Sequence, residues 1–340
     1  MFISSNIDHL NLPEYFNSIT DLYLPAEDTQ NKGLSYPGPK FLQQSPELMD
    51  MVNFLLSEAK KSEELEFAVR LVYKGNAVIF RGHSIDSIEG KVFIFRRLPS
   101  YIPKIEQLGI ANNILELLTN ERLNSGGLVI VCGETGQGKS TTCAGAISYR
   151  LRKYGSFCLT IEDPVELPLH GVYPADNNKN GICYQTNVYS DGIEAAIKSS
   201  MRCYPAVSNS ILFLGETRDA MMANEVLKVA ANGHLVFTTF HGSDLITSLK
   251  RFISLAAAHK NSSQDEVRSI FASVFKLILH QKLIPQMNGK KKADIKLLFS
   301  ASNNSSVSNR LRSGQLDMLV TEIQMQNLKI SEGKSILSLD

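Results

Sequence analysis

The spacing of apolar side chains changes along the first hundred residues. Residues 67–73, 77–83 and 91–97 are rich in β-branched and aromatic side chains, which predicts strands separated by short turns. Before them, apolar side chains recur at helical spacing and predict a helix, at Leu48, Met51, Val52, Leu55 and Leu56. This region therefore predicts a small α+β module, and the prolines within 98–103 mark a linker after it.

From about residue 105 onward, predicted strands and helices alternate. The predicted helices cover 140–154 and 219–231, the second with Asp219 as its N-cap. Short apolar runs predict buried strands at 128–132, 157–161, 211–214 and 235–239. Such alternation predicts parallel strands with helical crossovers, hence an α/β sheet. We expect an α+β domain with its linker over residues 1–104 and an α/β domain over 105–340.

The end of the chain is less regular. Residues 282–287 and 294–299 predict a hairpin across Asn288 and Gly289. Residues 301–309 are nearly all Ser and Asn, which predicts a loop. The predicted α/β domain therefore ends in a short, divergent tail.

Composition excludes several classes of protein. Hydrophobic residues make up 43% and charged residues 20% of the 340, which excludes a disordered chain or a coiled coil. Lys and Arg total 35 against 34 Asp and Glu, so a general polyanion-binding surface is not expected. No apolar run approaches the roughly 18 residues that cross a bilayer, and residues 1–10 lack the basic start of a secretory signal. We therefore expect a cytoplasmic protein.

Residues 133–140 carry the most specific chemical signal. They read Gly-Glu-Thr-Gly-Gln-Gly-Lys-Ser and fit the pattern G-x-x-x-x-G-K-[ST] between a predicted strand and a predicted helix. Glycines let the backbone approach phosphates at a helix N-terminus, where the dipole favours anions. Lys139 is then expected to reach the β- and γ-phosphates, and the Ser140 hydroxyl to bind Mg²⁺. The alternative is a glycine-rich turn that merely joins strand to helix. The predicted nucleotide-binding residues here are Gly133, Glu134, Thr135, Gly136, Gln137, Gly138, Lys139, Ser140 and Thr141.

Acidic residues follow two of the predicted strands. Glu162 comes directly after 157–161, and the carboxyl ends of parallel strands are where site residues gather. A glutamate there is suited to activate water for attack on the γ-phosphate, although acids also simply end strands before a turn. Glu216 closes the apolar strand at 211–214 and is expected to hold the magnesium through a bound water. Arg218 is either a nucleotide contact or an incidental neighbour of a helix cap.

Histidines frame the last predicted strand, His234 before it and His241 after it. Each is more often a satisfied hydrogen-bonding residue than a catalytic group. Metal binding by these histidines is not expected, since no third ligand has suitable spacing.

These motifs, taken in order, resemble those of the secretion superfamily of hexameric ATPases over about residues 75–285. The matching stretches are Gly-Glu-Thr-Gly-Gln-Gly-Lys-Ser-Thr-Thr (Walker A), Thr-Ile-Glu-Asp-Pro-Val-Glu (Asp box), Leu-Gly-Glu-Thr-Arg-Asp (Walker B) and Gly-His-Leu-Val-Phe-Thr-Thr-Phe-His (His box). The resemblance implies a homohexamer whose subunits have a PAS-like N-terminal domain and a RecA-like P-loop ATPase domain, with ATP and Mg²⁺ between them. It also implies Glu162 as general base and His234 as γ-phosphate sensor or coupling residue.

The resemblance also implies that the N-terminal domain lends arginines to the phosphates. Arg81 and Arg96 fall where the family carries them, although by their own chemistry they are basic residues on strands that would more often be solvated. The sequence departs from the family at Ser210, where an aspartate usually begins the Walker B strand, and at Ile79, where an arginine is common. Extra residues at 206–209 precede Ser210. These departures motivate a second hypothesis, a nucleotide-gated scaffold that scarcely hydrolyses ATP.

Within the superfamily, the sequence favours one branch. The tetracysteine metal site of the pilus-extension and type II secretion relatives is absent, and residues 164–171 resemble DotB/TraJ-type proteins more than PilT-type proteins. The sequence therefore predicts an ATPase that powers a type IVB secretion or conjugation apparatus through inner-membrane components, at the cytoplasmic face of that membrane. A pilus retraction motor is the alternative. A nucleic-acid translocase is disfavoured by the near-neutral charge, with the lysines at 290–292 interpreted as a solvated hairpin turn.

Overall fold

The computed structural model describes residues 2–62, 65–175, 179–187, 192–205, 209–259, 262–287 and 291–337. The chain forms two compact units, Met1–Tyr101 with Glu166–Pro168, and Ile102–Val165 with Leu169–Asp340. None of the helices within the described ranges is long and apolar enough to cross a membrane.

The first unit is built on one mixed sheet. Its elements are β1 (Phe2–Asn6), β2 (Asp21–Pro25), α1 (Thr29–Lys32), β3 (Leu34–Tyr36), β4 (Lys40–Phe41), α2 (Met49–Lys61), β5 (Glu66–Tyr73), β6 (Asn76–Ser87) and β7 (Gly90–Arg97). The strand order is β1-β5-β6-β7-β2-β3-β4, with β1 parallel to β5 and the other pairs antiparallel. The predicted helix and the strands β5, β6 and β7 are confirmed, whereas β1 to β4 were not predicted.

Helix α2 covers one face of this sheet. Its buried Met51 and Leu55 share a core with Phe80 of β6 and Phe95 of β7. Gly82 belongs to the same face, because a Cβ there would lie 2.3 Å from the ring of Phe67. The other face therefore carries the alternate, polar positions of these strands.

The second unit is an α/β sheet. In chain order, it begins with α3 (Asn112–Thr119), β8 (Gly127–Gly133), α4 (Lys139–Tyr154), β9 (Phe157–Glu162), β10 (Gly171–Tyr173), β11 (Gly181–Asn187), α5 (Gly192–Ser200) and β12 (Ser210–Glu216). They continue as α6 (Ala220–Ala231), β13 (Leu235–His241), α7 (Leu245–Ala257), α8 (Gln264–Val274), β14 (Phe275–Pro285), β15 (Lys291–Phe299), α9 (Ser306–Ser313) and α10 (Leu319–Ser331).

The sheet order is β10-β11-β9-β12-β13-β8-β14-β15. All neighbouring pairs from β11 to β14 are parallel, and β10 and β15 pair antiparallel at the two edges. This arrangement confirms the predicted α/β sheet with helical crossovers. Asp219 caps α6 as predicted, because its carboxylate accepts a hydrogen bond from Met222 N at 2.8 Å.

Helices lie on both faces of β8, and every residue of that strand is buried. Leu128, Ile130 and Cys132 share one core with α6, α7 and α8. Val129 and Val131 alternate with them and so point to the opposite face, where α4 contacts the sheet. The loop between β8 and α4 is thus anchored at both ends in packed structure.

The C-terminal region is more ordered than the sequence predicted. Residues 301–309 were predicted as a loop, but α9 begins within them at Ser306. The helix starts there because the Ser305 hydroxyl accepts a hydrogen bond from Ser308 N at 3.1 Å, and both serines bond the buried Ser300 hydroxyl. The predicted hairpin is also longer than expected, since β14 begins at Phe275. Its predicted turn at Asn288 and Gly289 lies outside the described residues.

Side-chain amides close the edge of the sheet at β15. Gln326 on α10 accepts from Phe299 N at 2.8 Å and donates to Phe299 O at 2.9 Å. Asn327 accepts from Leu297 N at 3.1 Å and donates to Leu297 O at 2.8 Å. These amides occupy the hydrogen-bonding groups that a further strand would otherwise use.

Candidate nucleotide site

The loop from Gly133 to Lys139 joins the carboxyl end of β8 to the first turn of α4. Gly136 and Gly138 have φ of 77° and 75°, a left-handed conformation that side chains disfavour. A Cβ at Gly133 would lie 2.5 Å from the Gln281 carbonyl oxygen. The glycines of the motif are therefore required by backbone conformation and by close approach, and the loop ends at the N-terminus of a long helix, where anions are favoured.

Lys139 folds back over this loop. Its ammonium donates to Gly133 O at 3.0 Å and to Glu134 O at 2.8 Å, and the residue is buried. Ser140 and Thr141 are half-buried on the first turn of α4. The structure thus brings a cation and hydroxyl groups to the loop that the sequence assigned to phosphates.

Glu162 lies at the end of β9 and is buried. Its carboxylate accepts a hydrogen bond at 2.9 Å from the side-chain amide of Gln185 on the neighbouring β11. The amide oxygen of Gln185 in turn accepts from His170 N at 2.7 Å. Gln185 therefore orients the predicted general base, a role that sequence reasoning missed because the pairing of β11 with β9 has no local signal.

The charges of Lys139 and Glu162 both act on the buried thiol of Cys143 in α4. Burial raises the pKa of the Cys143 thiol, Lys139 opposes that rise and Glu162 adds to it. Both charged groups therefore act on the same buried atom, and the thiol stays protonated. Burial also raises the pKa of Cys132, one residue before the loop, to about 12.

Glu216 ends β12 at the same edge of the sheet. In register, Glu216 lies opposite Thr239, and Thr239 lies opposite Val131 of the loop-bearing strand. The Glu216 carboxylate is partly exposed and accepts a hydrogen bond from Arg218 Nε at 2.8 Å. The carboxyl ends of β8, β9 and β12 thus gather the phosphate loop, Glu162 and Glu216 along one edge.

His234 lies at the opposite side of the sheet, where the parallel strands begin. It precedes β13, its carbonyl oxygen accepts from Gly127 N at 3.1 Å, and its ring faces the amino ends of the strands. Strand β13 has seven residues, so His234 is roughly 20 Å from the level of the phosphate loop. Within one subunit, therefore, the structure does not bring His234 to the phosphate loop, and its expected role as γ-phosphate sensor or coupling residue stays a prediction.

The partners of His234 explain the departure at Ser210. The Ser210 hydroxyl lies 2.6 Å from His234 Nδ1, and the Tyr204 ring packs against the imidazole at 4.4 Å between centroids. Burial lowers the pKa of His234, which favours the neutral ring. Ser210 therefore belongs to a structural contact at the amino edge, away from the acids. Of the extra residues at 206–209, residues 206–208 lie outside the described part of the chain.

His241, unlike His234, lies beside the phosphate loop. It ends β13 directly opposite Gly133 in register and is exposed. The following Gly242 N donates to Gly133 O at 3.4 Å. The signal for His241 was available in the sequence, because it follows its strand, whereas His234 precedes it.

Arg81 and Arg96 lie on the polar face of the first unit. They oppose each other across β6 and β7. Arg81 bonds Glu66 at 3.1 Å, and Arg96 bonds Asp21 at 2.8 Å. The Asp21 contact raises the pKa of Arg96. Both arginines are thus held on one surface by acids of their own unit.

The fold and motifs agree with comparisons to known proteins. A family model described as "Type II/IV secretion system protein" matches residues 46–334. The chain belongs to this family. The uncharacterised protein YggR of Escherichia coli is 31% identical over 77% of this chain and 73% of its own length.

Proteins with a named activity are also similar to this chain. The type IV pilus retractation ATPase PilT of Pseudomonas aeruginosa is 28% identical over 72% of this chain and 66% of its own length. A crystal structure of the pilus retraction motor PilT with bound ADP matches with a TM-score of 0.69 at 26% identity, over 90% of this chain and 86% of that one. The ATPase DotB of Legionella pneumophila shares the fold, with a TM-score of 0.67 at 17% identity over 98% and 96%.

These findings confirm the predicted family and fold class, a RecA-like α/β domain preceded by a smaller α+β domain. The chain is an ATPase of the secretion and pilus motor type.

Proposed function

We propose that this ATPase hydrolyses ATP at the edge formed by the phosphate loop, Glu162 and Glu216, and that it works as a homohexameric ring. The observation that carries the proposal is the gathering of these groups at the carboxyl ends of β8, β9 and β12. The two compact units are proposed to be domains with a boundary near residue 104. The near-equal numbers of basic and acidic residues support a machine driven without direct nucleic-acid binding.

The catalytic roles follow from position and chemistry. The loop from Gly133 to Lys139 binds the phosphates, and Lys139 neutralises charge on the β- and γ-phosphates. Glu162, held by Gln185, accepts a proton from the attacking water. His241 is proposed as the γ-phosphate contact in place of His234, because it ends its strand beside Gly133. Arg81, Arg96 and Arg218 are proposed as further cations around the phosphates.

A magnesium ion fits the same edge. The Ser140 hydroxyl on the first turn of α4 and the partly exposed Glu216 carboxylate are hard oxygen donors of the kind that Mg²⁺ prefers. When bound, the ion would neutralise phosphate charge. Arg218, which contacts Glu216 Oε2, is expected to give up that contact to the ion.

The first prediction tests these roles by substitution. Lys139→Ala is expected to lower ATP turnover at least about 100-fold and to weaken nucleotide binding, since the cation inside the loop is lost. Glu162→Gln is expected to lower turnover similarly while ATP binding is kept. Steady-state phosphate release and nucleotide titration on the purified hexamer measure both. Unchanged turnover in either variant contradicts the site, and negligible turnover in the wild type favours the nucleotide-gated scaffold.

For the machine that the motor serves, we propose a type IVB secretion or conjugation apparatus, engaged at the cytoplasmic face through inner-membrane components. Residues 164–171, with their Leu-Pro-Leu-His-Gly ending, support this branch. A pilus retraction machine is the second candidate, and the 26% identity to the PilT crystal structure favours it.

A paired phenotype in the native host distinguishes the two machines. The gene is deleted and restored as wild type or Lys139→Ala, and both conjugal or effector transfer and twitching motility are scored. Loss of transfer with normal motility supports the secretion or conjugation branch. Loss of motility with normal transfer assigns the chain to pilus retraction.

A further inference from the structure

Gln281 on β14 is buried directly beside the phosphate loop. Its exposed fraction is 2% although its side chain is polar. The preceding His280 pairs in register with Cys132, so Gln281 lies at the level of Gly133. None of the sequence motifs includes β14, and the catalytic roles above leave Gln281 without an assignment.

Both ends of the Gln281 amide are used by the loop and the helix that follows it. The amide nitrogen donates to Gln137 O at 2.6 Å, and the amide oxygen accepts from the Thr142 hydroxyl at 2.7 Å. Gln137 returns the contact, since its side-chain oxygen accepts from Leu283 N at 2.7 Å. The middle of the phosphate loop and the first turns of α4 are therefore fastened to one strand by reciprocal glutamine contacts.

Steric contact reinforces this fastening. A Cβ at Gly133 would meet the Gln281 carbonyl oxygen at 2.5 Å, and a Cβ at Gly138 would meet the Gln281 side-chain nitrogen at 3.1 Å. Both ends of the loop thus lie against Gln281. A loop that binds phosphate through its backbone depends on holding its N–H groups in place, because small displacements of positioned groups weaken binding and catalysis.

We propose that Gln281 is a positioning residue for ATP hydrolysis: its amide holds the carbonyl of Gln137 and thereby fixes the phosphate loop in its binding conformation. The inference rests on the proposed phosphate-binding role of this loop. An amide is required because one atom must donate to a carbonyl while the other accepts from a hydroxyl. An ionised glutamate at 281 supplies the acceptor but faces the Gln137 carbonyl with no donor, so it is expected to fail although its shape is nearly the same.

The test compares two buried glutamines of the same chain. Gln281→Leu and Gln281→Glu are measured beside Gln326→Leu, which removes an equally buried amide at the β15 edge. The readouts on the full-length protein are the Kd for a fluorescent ADP, KM and kcat for ATP, and Tm without nucleotide. Gln281→Leu and Gln281→Glu are expected to raise Kd and KM about tenfold or more. Gln326→Leu is expected to lower Tm while leaving Kd within about twofold of the wild type.

Each outcome decides the proposal. Equal Kd values for the wild type and both Gln281 variants overturn it, and so does an equal rise in Kd for Gln281→Leu and Gln326→Leu. If the Gln281 variants do not fold, Thr142→Val removes the hydroxyl that orients the Gln281 amide through its oxygen, and an unchanged Kd there overturns the proposal. The binding readout does not require turnover, so a wild type that binds ADP but does not hydrolyse ATP refutes the proposed function and leaves this test intact.

Discussion

At the scale of single residues, strand direction decides which side chains meet the nucleotide. His234 and His241 flank one strand and look alike in sequence, yet His234 lies at its amino end and His241 at its carboxyl end. The rule that site residues follow parallel strands identified Glu162 and Glu216, and the same rule would have selected His241. Gln281 had no such signal, because its partner Gln137 is 144 positions away in the chain. Long-range contacts of this kind depend on which strands become neighbours.

The half-buried position of His234 predicts a pH effect on stability. Burial lowers its pKa, so the unfolded chain binds more protons at this ring as pH falls through the ordinary range near 6.5. The free energy of unfolding is therefore expected to fall on acidification through that window, and less so in His234→Gln. Urea unfolding at pH 7.5 and pH 5.5 measures the difference. An equal loss for both proteins would show that the imidazole is not protected from protonation.

At the scale of elements, local pattern predicted the strands and helices that carry the nucleotide motifs. Strands β8, β9, β12 and β13 and helices α4 and α6 were all anticipated, since each combines an apolar period with clear end signals. Helix α9 was missed because its serines were interpreted as loop residues, whereas Ser305 caps the helix and Ser308 bonds the buried Ser300. Composition does not distinguish a serine that bonds water from one that bonds a helix end.

The amides at the β15 edge predict a stability effect without loss of nucleotide binding. Gln326→Leu leaves Phe299 N and O without their side-chain partner, which is expected to cost about 1–3 kcal/mol of unfolding free energy. Asn327→Leu is expected to act in the same direction through Leu297. Chemical denaturation of each variant measures the loss. Wild-type stability in the double variant would mean that solvent replaces these bonds at no cost.

At the scale of the whole molecule, each compact unit has its own apolar core. The phosphate loop belongs to the second unit, so nucleotide is expected to stabilise that unit by mass action. At about 100 times its Kd, ADP contributes about 2.7 kcal/mol, which corresponds to a rise in Tm of roughly 5–10 °C for a domain of this size. Differential scanning calorimetry with Mg²⁺ and ADP measures the shift.

Lys139→Ala is the control for this measurement, and its transition is expected to move less with the same concentration of ADP, because nucleotide binding is weakened. An equal shift in that variant and in the wild type would place the nucleotide elsewhere. The sequence predicted a smaller α+β domain followed by an α/β domain that carries the phosphate loop. It did not predict strands β1 to β4, because their short apolar runs lack a strong period.

In the contact between α10 and β15, the helix contributes side chains whereas the strand contributes only backbone atoms, so the two sides are expected to differ in their tolerance to mutation. Gln326 and Asn327 bind only backbone atoms of Phe299 and Leu297 on that strand, so the bonds are the same whatever side chains those positions carry. In a saturation mutagenesis library selected for function, positions 297 and 299 are expected to accept other apolar residues of similar size. Positions 326 and 327 are expected to reject nearly every replacement, although they lie far along the chain from any nucleotide motif.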